Sequence, residues 1–327
     1  MTYRLHLESR RQQHSSFHLD EAAWTLAATR HPDLARQVDV SFGWDGTRFA
    51  DPLDDVDFLL ASRFPWDAVN GAARLRWIHT TGAGVDQLLP LDTVREDLIL
   101  TNSRGIHSDK AQEFVQMALL MLHARMASVF DAQRNRRWDT QLTPPLRGKT
   151  ALVIGYGNLG SAACAAACAL GLHVSVLTRG GNAQVHEGVE TNCIARLDEW
   201  LPRADFLIVA APLTPETHML VSASRISAMR PGAAVVNISR AGLIDYPALF
   251  DNLRSGHLSG AVLDVFDPEP LPAESEAWSV PNLVVTPHIS CDVPDYNQRV
   301  LDVWFRNFKN FLSNKPFENV VNRQLGY

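Results

Sequence analysis

Residues 147–179, RGKTALVIGYGNLGSAACAAACALGLHVSVLTR, constrain the fold more than any other stretch of the chain. Thr150 to Ile154 is a run of β-branched and apolar residues that breaks at Gly155, Gly157 and Gly160 and passes into an alanine-rich segment with helical preference. A second apolar run, His173 to Leu177, supplies the next parallel strand. The pattern is strand, glycine turn, helix, strand. Gly155 allows the tight turn, Gly157 lets the backbone approach a pyrophosphate, and Gly160 lets the helix pack closely on the strand, leaving free N–H groups aimed at phosphates. Tyr156, Asn158 and Leu159 complete the loop and join the glycines as candidate cofactor contacts. A glycine loop without a ligand is the plain alternative.

At 327 residues the chain exceeds one comfortable core and fits two domains. Before residue 102, short apolar runs alternate with helical stretches: Leu5 to Leu7, Val38 to Phe42, Phe58 to Ala61, Leu75 to Thr80 and Leu98 to Asn102 read as strands. Leu19 to Arg36 has helical spacing, with Asp20 as its N-cap. Such alternation implies a parallel sheet with helices packed on it. The fold class is therefore α/β, two parallel-sheet domains that are Rossmann-like and flavodoxin-like.

The net charge of −6 gives no electrostatic reason to expect nucleic acid or an anionic membrane as partner. No apolar run approaches a membrane span, and the start, MTYRLHLESRRQQHSS, lacks the apolar core of a secretory signal, so the expected location is cytoplasmic. Cys164, Cys168, Cys193 and Cys291 show no pairing pattern and fit a reducing compartment. Cys164 and Cys168 share a helix face, but no second Cys/His pair at ligand spacing accompanies them. They read as small core residues, and no metal is expected.

The loop after WIHTT exposes Gly82, Ala83 and Gly84 at a strand's C-terminal edge, where clustered backbone N–H groups suit a carboxylate; a plain turn is the alternative. Ser108 reads as the cap of a long helix from Asp109 to about Phe130, apolar on most faces and hence buried between domains or against another subunit. Arg134, Arg136, Arg137 and Trp138 read as a solvated loop with an aromatic anchor. Further strands follow at Asp205 to Ala210, Ala234 to Ile238, Gly260 to Val265 and Leu283 to Thr286. Their C-terminal edges bring Ala211, Pro212, Leu213 and Thr217, then Ile238 and Ser239, then Asp264, around a common crevice as candidate cofactor contacts. A final helix, about Asp295 to Leu312, carries Val300, Trp304, Phe308 and Phe311 at core spacing.

Three edges also offer chemistry: Arg240 in NISRAG, Glu269 in LDVFDPEP and His288 in TPHIS. Arg240 and His288 border the cofactor crevice as well as the substrate. A guanidinium, a carboxylate and an imidazole beside a dinucleotide form a machine for reducing a 2-oxo acid. Arg240 forks onto the substrate carboxylate or carbonyl. His288 gives a proton to the carbonyl oxygen, and Glu269 orients the imidazole and raises its pKa. Taken singly, each has a dull reading as a surface cation, a solvated turn and a capped loop.

In order along the chain, GYGNLG, the PLTPET turn, NISRAGLID, LDVFDPEPLP and TPHIS resemble the D-isomer-specific 2-hydroxyacid dehydrogenase family. That resemblance implies that Arg240 binds substrate, Glu269 is the acid paired with the histidine, and His288 is proton donor and acceptor. It implies that Gly82 to Gly84 cradle the substrate carboxylate and that Asp264 lies near the nicotinamide carboxamide. It implies a discontinuous substrate domain, 1–102 plus 293–327, a dinucleotide domain at 103–292, and a homodimer joined through the helix after Ser108.

One departure concerns the cofactor. NAD-dependent members carry a carboxylate at the end of the second strand to hold the ribose 2′-hydroxyl; about 20 residues beyond the glycines this chain has Thr178 and Arg179 instead. Both can hold a 2′-phosphate that a carboxylate would repel, so NADP(H) is expected in preference to NAD(H). Ser290 and Cys291 stand where small residues are more usual. The resemblance points to a reductase of small 2-oxo acids such as glyoxylate or hydroxypyruvate. The alternatives are a 3-phosphoglycerate dehydrogenase-like enzyme, for which Arg104 is a candidate extra cation, and a non-catalytic dinucleotide-sensing protein of the same fold. Formate dehydrogenase carries glutamine where Glu269 stands, so Glu269 argues against it.

Overall fold

A computed structural model describes residues 2–326. The chain folds into two compact units, one made of residues up to Ile106 together with those from Val293 onward, the other of His107–Asp292.

In the first unit, β1 (Tyr3–Ser9), β2 (Val38–Trp44), β3 (Phe58–Ala61), β4 (Trp77–Thr80) and β5 (Ile99–Asn102) form a parallel sheet in the order β2-β1-β3-β4-β5. Helix α1 (Glu21–Arg30) starts where the Asp20 carboxylate accepts the Ala23 N–H at 2.9 Å. The helix expected through Arg36 breaks at His31, because Pro32 has no N–H to continue the ladder and instead opens a separate turn, α2 (Pro32–Ala35). Helix α3 (Trp66–Gly71) follows β3. The C-terminal helix, Tyr296–Leu312, lays Val300, Trp304, Phe305 and Phe308 against Leu5, Leu7, Phe58 and Trp77, all buried. Trp77 and Trp304 stack with ring centroids 5.4 Å apart. Each such side chain contributes roughly 1.5–3 kcal/mol of apolar burial. The tail then runs beside β5, with Val321 N–H donating to Leu100 C=O at 2.9 Å.

The second unit holds β6 (Thr150–Ile154), β7 (His173–Thr178), β8 (Val189–Cys193), β9 (Phe206–Val209), β10 (Ala234–Asn237), β11 (Gly260–Leu263) and β12 (Leu283–Val285). All run parallel, in the order β12-β11-β10-β9-β6-β7-β8. The chain leaves β6 for β7 on one side and returns to β9 on the other, which puts the topological switch point at the end of β6. Strand β8 was not legible: VETNC sits at the sheet edge without a fully buried residue, so no apolar run marks it.

Among the described residues, the helices of this unit are α4 (Ser108–His123), α5 (Met126–Arg134), α6 (Asn158–Ala169), α7 (Leu197–Trp200), α8 (Ala223–Ala228) and α9 (Tyr246–Arg254). The single helix expected to reach Phe130 is two, separated at Arg125, whose φ of 54° is left-handed and cannot continue an α-helix. Ser108 is not the cap either: His107 occupies the cap position and Ser108 lies in the first turn. Phe114, Val115, Ala118, Leu119 and Leu122 of α4 are buried in one core with Ala163, Ala166 and Ala167 of α6. Met117, Leu120 and Phe130 are exposed. Trp138 is 100% exposed, so it anchors its loop to nothing within the described residues. All four cysteines are free, and burial pushes the Cys164 thiol up to about 12. Among the described residues no cluster of His, Cys, Asp and Glu is placed to hold a metal, and no helix is long and apolar enough to cross a membrane.

Candidate active site

The glycine turn sits at the switch point of the seven-stranded sheet. Gly155 has φ of 92°, and a Cβ there would lie 2.8 Å from Ala211 Cα, so the end of β9 leaves room only for glycine. A Cβ on Gly160 would run into the Gly155 carbonyl. At Gly157 the same atom meets nothing within 4 Å, so this glycine faces open space, as a backbone that must meet a ligand should. No side chain caps α6, which starts at Asn158, and its first N–H groups remain available to an anion. A cavity of about 480 Å³ lies over this start, with Tyr156, Gly157, Asn158 and Ser161 in its wall. The residues fit a dinucleotide pyrophosphate.

Beyond β7, Thr178 Oγ1 accepts the Gly181 N–H at 3.1 Å, and no carboxylate occurs from Thr178 to Asn182. The Thr214 hydroxyl, the Glu216 backbone N–H and the charge of Arg179 hold the Glu216 carboxyl below the ordinary range. Thr217 hydroxyl donates to Pro212 C=O at 2.7 Å and so shapes the turn that carries Ala211 and Leu213. Ser239 hydroxyl ties this turn to the end of β10 by donating to Ala211 C=O. Ile238 and Ser239 are buried.

The loop after β12 carries His288, whose Nδ1 donates to Glu269 Oε2 at 2.8 Å. The second Glu269 oxygen accepts the Phe266 N–H at 2.8 Å. The bond to Glu269 raises the His288 pKa above 6.5, against burial and the charge of Arg240. Burial pushes Glu269 up, but its bonds to His288 and the Phe266 N–H outweigh that and leave it below 4.5. An ionised carboxylate beside an imidazole that keeps its proton is the result. The His288 side chain stays 43% exposed, and φ of 56° holds its backbone in a left-handed turn that non-glycine residues rarely adopt.

Two buried struts hold these groups, a role that the residue types alone did not reveal. Asp264, at 0% exposure, accepts the Thr286 hydroxyl at 2.6 Å and the Ile289 and Ser290 N–H groups at 2.8 Å each, so it fixes the backbone on both sides of His288. Asn237, also buried, accepts the Ser239 N–H at 3.1 Å and donates to Arg240 C=O at 2.9 Å and to Tyr246 OH at 3.1 Å. Arg240 donates from its own guanidinium to Ser239 C=O at 2.8 Å. The signal for both struts was in the sequence: each is a polar residue closing a strand region that is otherwise apolar, AVVN and AVLD. Burial pushes the Cys291 thiol up to about 12, so it is a protonated wall and not a nucleophile.

In the first unit the Gly82–Gly84 loop is built by pulling its carbonyls inward. Thr81 C=O accepts from Tyr296 OH at 3.0 Å, Gly82 C=O from Ser103 N–H at 3.1 Å and Thr80 hydroxyl at 3.2 Å, Ala83 C=O from Asn102 at 2.7 Å, and Gly84 C=O from Gln87 at 3.3 Å. Among the described residues the N–H groups of Gly82, Ala83 and Gly84 make no hydrogen bond. Beneath them His79, fully buried, bridges Thr101 Oγ1 at 2.7 Å and Ser103 Oγ at 3.0 Å. Burial pushes its pKa down to about 3, so this bridge is neutral at any physiological pH.

Two parallel sheets, one with a glycine turn at its switch point and an imidazole–carboxylate pair past its strands β11 and β12, define the class: a two-unit dinucleotide-dependent α/β oxidoreductase. Residues 116–290 match the family profile for D-isomer specific 2-hydroxyacid dehydrogenase, NAD binding domain. The chain belongs to the D-isomer specific 2-hydroxyacid dehydrogenase family and is an NAD(P)-dependent oxidoreductase acting on the CH–OH group of D-2-hydroxy acids. A glyoxylate reductase from Pyrococcus furiosus is 30% identical over 295 residues, covering 85% of this chain and 86% of that protein. A D-3-phosphoglycerate dehydrogenase from Methanocaldococcus jannaschii is 28% identical over 292 residues, or 88% of this chain, but the match spans only 55% of that longer protein. Among solved structures, a D-isomer specific 2-hydroxyacid dehydrogenase from Xanthobacter autotrophicus Py2 in complex with NADPH superposes with a TM-score of 0.86, at 27% identity and 100% coverage of both chains. An NADPH-dependent glyoxylate/hydroxypyruvate reductase from Sinorhizobium meliloti, in complex with NADP and sulfate, gives 0.81 at 26% identity and 99% coverage of both.

Proposed function

We propose that this protein reduces small 2-oxo acids of the glyoxylate and hydroxypyruvate kind to D-2-hydroxy acids, with NADPH preferred over NADH. The observation that carries the reading is the His288–Glu269 pair, bonded at 2.8 Å on a loop that Asp264 fixes from below. When bound, the nicotinamide supplies the hydride for the new C–H bond. His288 delivers the matching proton from Nε2 to the carbonyl oxygen, which turns C=O into CH–OH. Glu269 keeps Nδ1 engaged, so the ring faces the substrate with the correct nitrogen and holds its proton to higher pH than a free imidazole. Arg240 binds the substrate carboxylate or carbonyl through its guanidinium, aimed by Asn237 through the backbone. In this reading the first unit is the substrate domain, and the N–H groups of Gly82 to Gly84 receive the substrate carboxylate.

The NADPH preference rests on Thr178 and Arg179 standing where a carboxylate would repel a 2′-phosphate. Two of the similar structures contain NADPH or NADP, which supports the same choice. Homodimerisation through α4 and α5 is the reading that gives Met117, Leu120 and Phe130 a partner, since such side chains in one exposed stretch favour a covered face. Four free thiols fit a reducing compartment such as the cytoplasm.

The test is oxidation of NADPH and of NADH, followed by loss of nicotinamide absorbance, across glyoxylate, hydroxypyruvate, pyruvate and bulkier 2-oxo acids. The reading expects turnover of the small acids and a higher kcat/KM with NADPH. An equal or higher value with NADH removes the cofactor assignment. No turnover of any acid favours the dinucleotide-sensing alternative.

A further inference from the structure

The loop between β7 and β8 meets the start of α6 at a second point, beyond Thr178 and Arg179. The His186 N–H donates to the Tyr156 hydroxyl at 3.1 Å, and His186 Nε2 is hydrogen-bonded to Ser161 Oγ at 2.9 Å. The Tyr156 and His186 rings lie edge to face, with centroids 6.2 Å apart. Ser161 belongs to the first turn of α6, since its N–H donates to Gly157 C=O at 2.8 Å. Backbone and ring bonds together fix the imidazole at this turn, although the residue itself is exposed.

His186 also stands in the wall of the cavity of about 480 Å³ over this helix start, with Tyr156, Gly157, Asn158 and Ser161. Asp109 and Gln112 of α4 contribute to the same wall, and all of it belongs to the second unit. Among the described residues of that wall there is one carboxylate, Asp109, and no lysine or arginine. His186 is therefore the side chain there that can carry positive charge. A helix N-terminus offers an anion only roughly +0.5 elementary charge, less than a pyrophosphate calls for.

The imidazole has a nitrogen to spare. Among the described residues its Nδ1 makes no hydrogen bond, while Nε2 is held by Ser161. With the Ser161 hydroxyl donating to Nε2, the neutral ring carries its proton on Nδ1, and a charged ring also has a donor there.

We infer that His186 is a cofactor-binding residue, whose Nδ1–H donates to the pyrophosphate of the bound dinucleotide beside the N–H groups that open α6. The inference rests on the dinucleotide site at the start of α6 and not on the choice between NADPH and NADH. One loop then serves the cofactor at both ends: Thr178 and Arg179 at the adenosine 2′-phosphate, His186 at the pyrophosphate. Tyr156 and Ser161 are its positioning residues.

The test is calorimetric titration of the full chain with NADPH, NADH, ADP-ribose and adenosine 2′-phosphate, in the wild type, His186→Ala and His186→Gln. His186→Ala should raise Kd about tenfold for NADPH, NADH and ADP-ribose, as loss of a charge-assisted hydrogen bond does. Adenosine 2′-phosphate, which has no pyrophosphate, should bind as in the wild type. His186→Gln, whose amide keeps an N–H donor, should recover part of the loss. An unchanged Kd for ADP-ribose overturns the inference. An equal loss on adenosine 2′-phosphate also overturns it, because His186 then only holds the loop in place. The ratio of the NADPH and NADH values in the wild type tests the cofactor preference separately, and an equal loss on both in His186→Ala supports the inference whichever of them binds more tightly. A wild type that binds neither dinucleotide nor ADP-ribose removes the site and the inference with it.

Discussion

The two strand-edge sites solve binding in opposite ways. In the second unit the proposed working groups are side chains, His288, Glu269 and Arg240, and the buried struts Asp264 and Asn237 grip the backbone that carries them. In the first unit the proposed working groups are backbone N–H groups, and the side chains of Thr80, Gln87, Asn102 and Tyr296 hold the carbonyls of that loop. One site depends on residue identity and the other on backbone orientation. A single substitution should therefore abolish a role in the second unit and only degrade one in the first.

The largest effect is expected at His288, the proposed proton donor. His288→Ala should lower kcat for glyoxylate reduction by about 10²- to 10⁴-fold, the usual contribution of a positioned general acid, with the Kd for NADPH largely retained. Steady-state kinetics and fluorescence titration of the cofactor check it; a near-normal kcat removes His288 from the role. A smaller effect is expected at the opposite site. Asn102→Ala frees one of the tethered carbonyls, a loss of about 1 kcal/mol in orientation, and should raise KM about five- to tenfold with little change in kcat. A fall in kcat as deep as that of His288→Ala would erase the contrast between the two sites.

That contrast also explains what could be read from the sequence. NISRAG, DPEP and TPHIS advertise side-chain chemistry, so Arg240, Glu269 and His288 stood out as candidates; the strand ends that carry them were legible, and the structure bonds Glu269 to His288. The Gly82–Gly84 loop was legible as a loop, but its orientation depends on Asn102, Ser103 and Tyr296, the last of which lies 215 residues from the Thr81 carbonyl it holds. No local pattern announces a tether across that separation. His79 gave a faint signal as a polar residue inside WIHT, and its neutral bridge to Thr101 and Ser103 emerges only in the packed sheet. Boundaries failed where a single backbone event decides them, the positive φ at Arg125 and the proline at residue 32. The edge strand β8 failed for want of buried residues.

The coupling of His288 to Glu269 is the centre of the account, and the pH dependence of kcat/KM for glyoxylate reduction by NADPH, in wild type and Glu269→Gln, tests it most directly. The bond to Glu269 raises the His288 pKa above 6.5, so the proton is present at low pH and the rate falls only as pH rises through that raised value. Removing the charge of Glu269 should move the fall to lower pH. A profile that stays in place in Glu269→Gln, or a wild-type rate that does not depend on pH, would contradict the account.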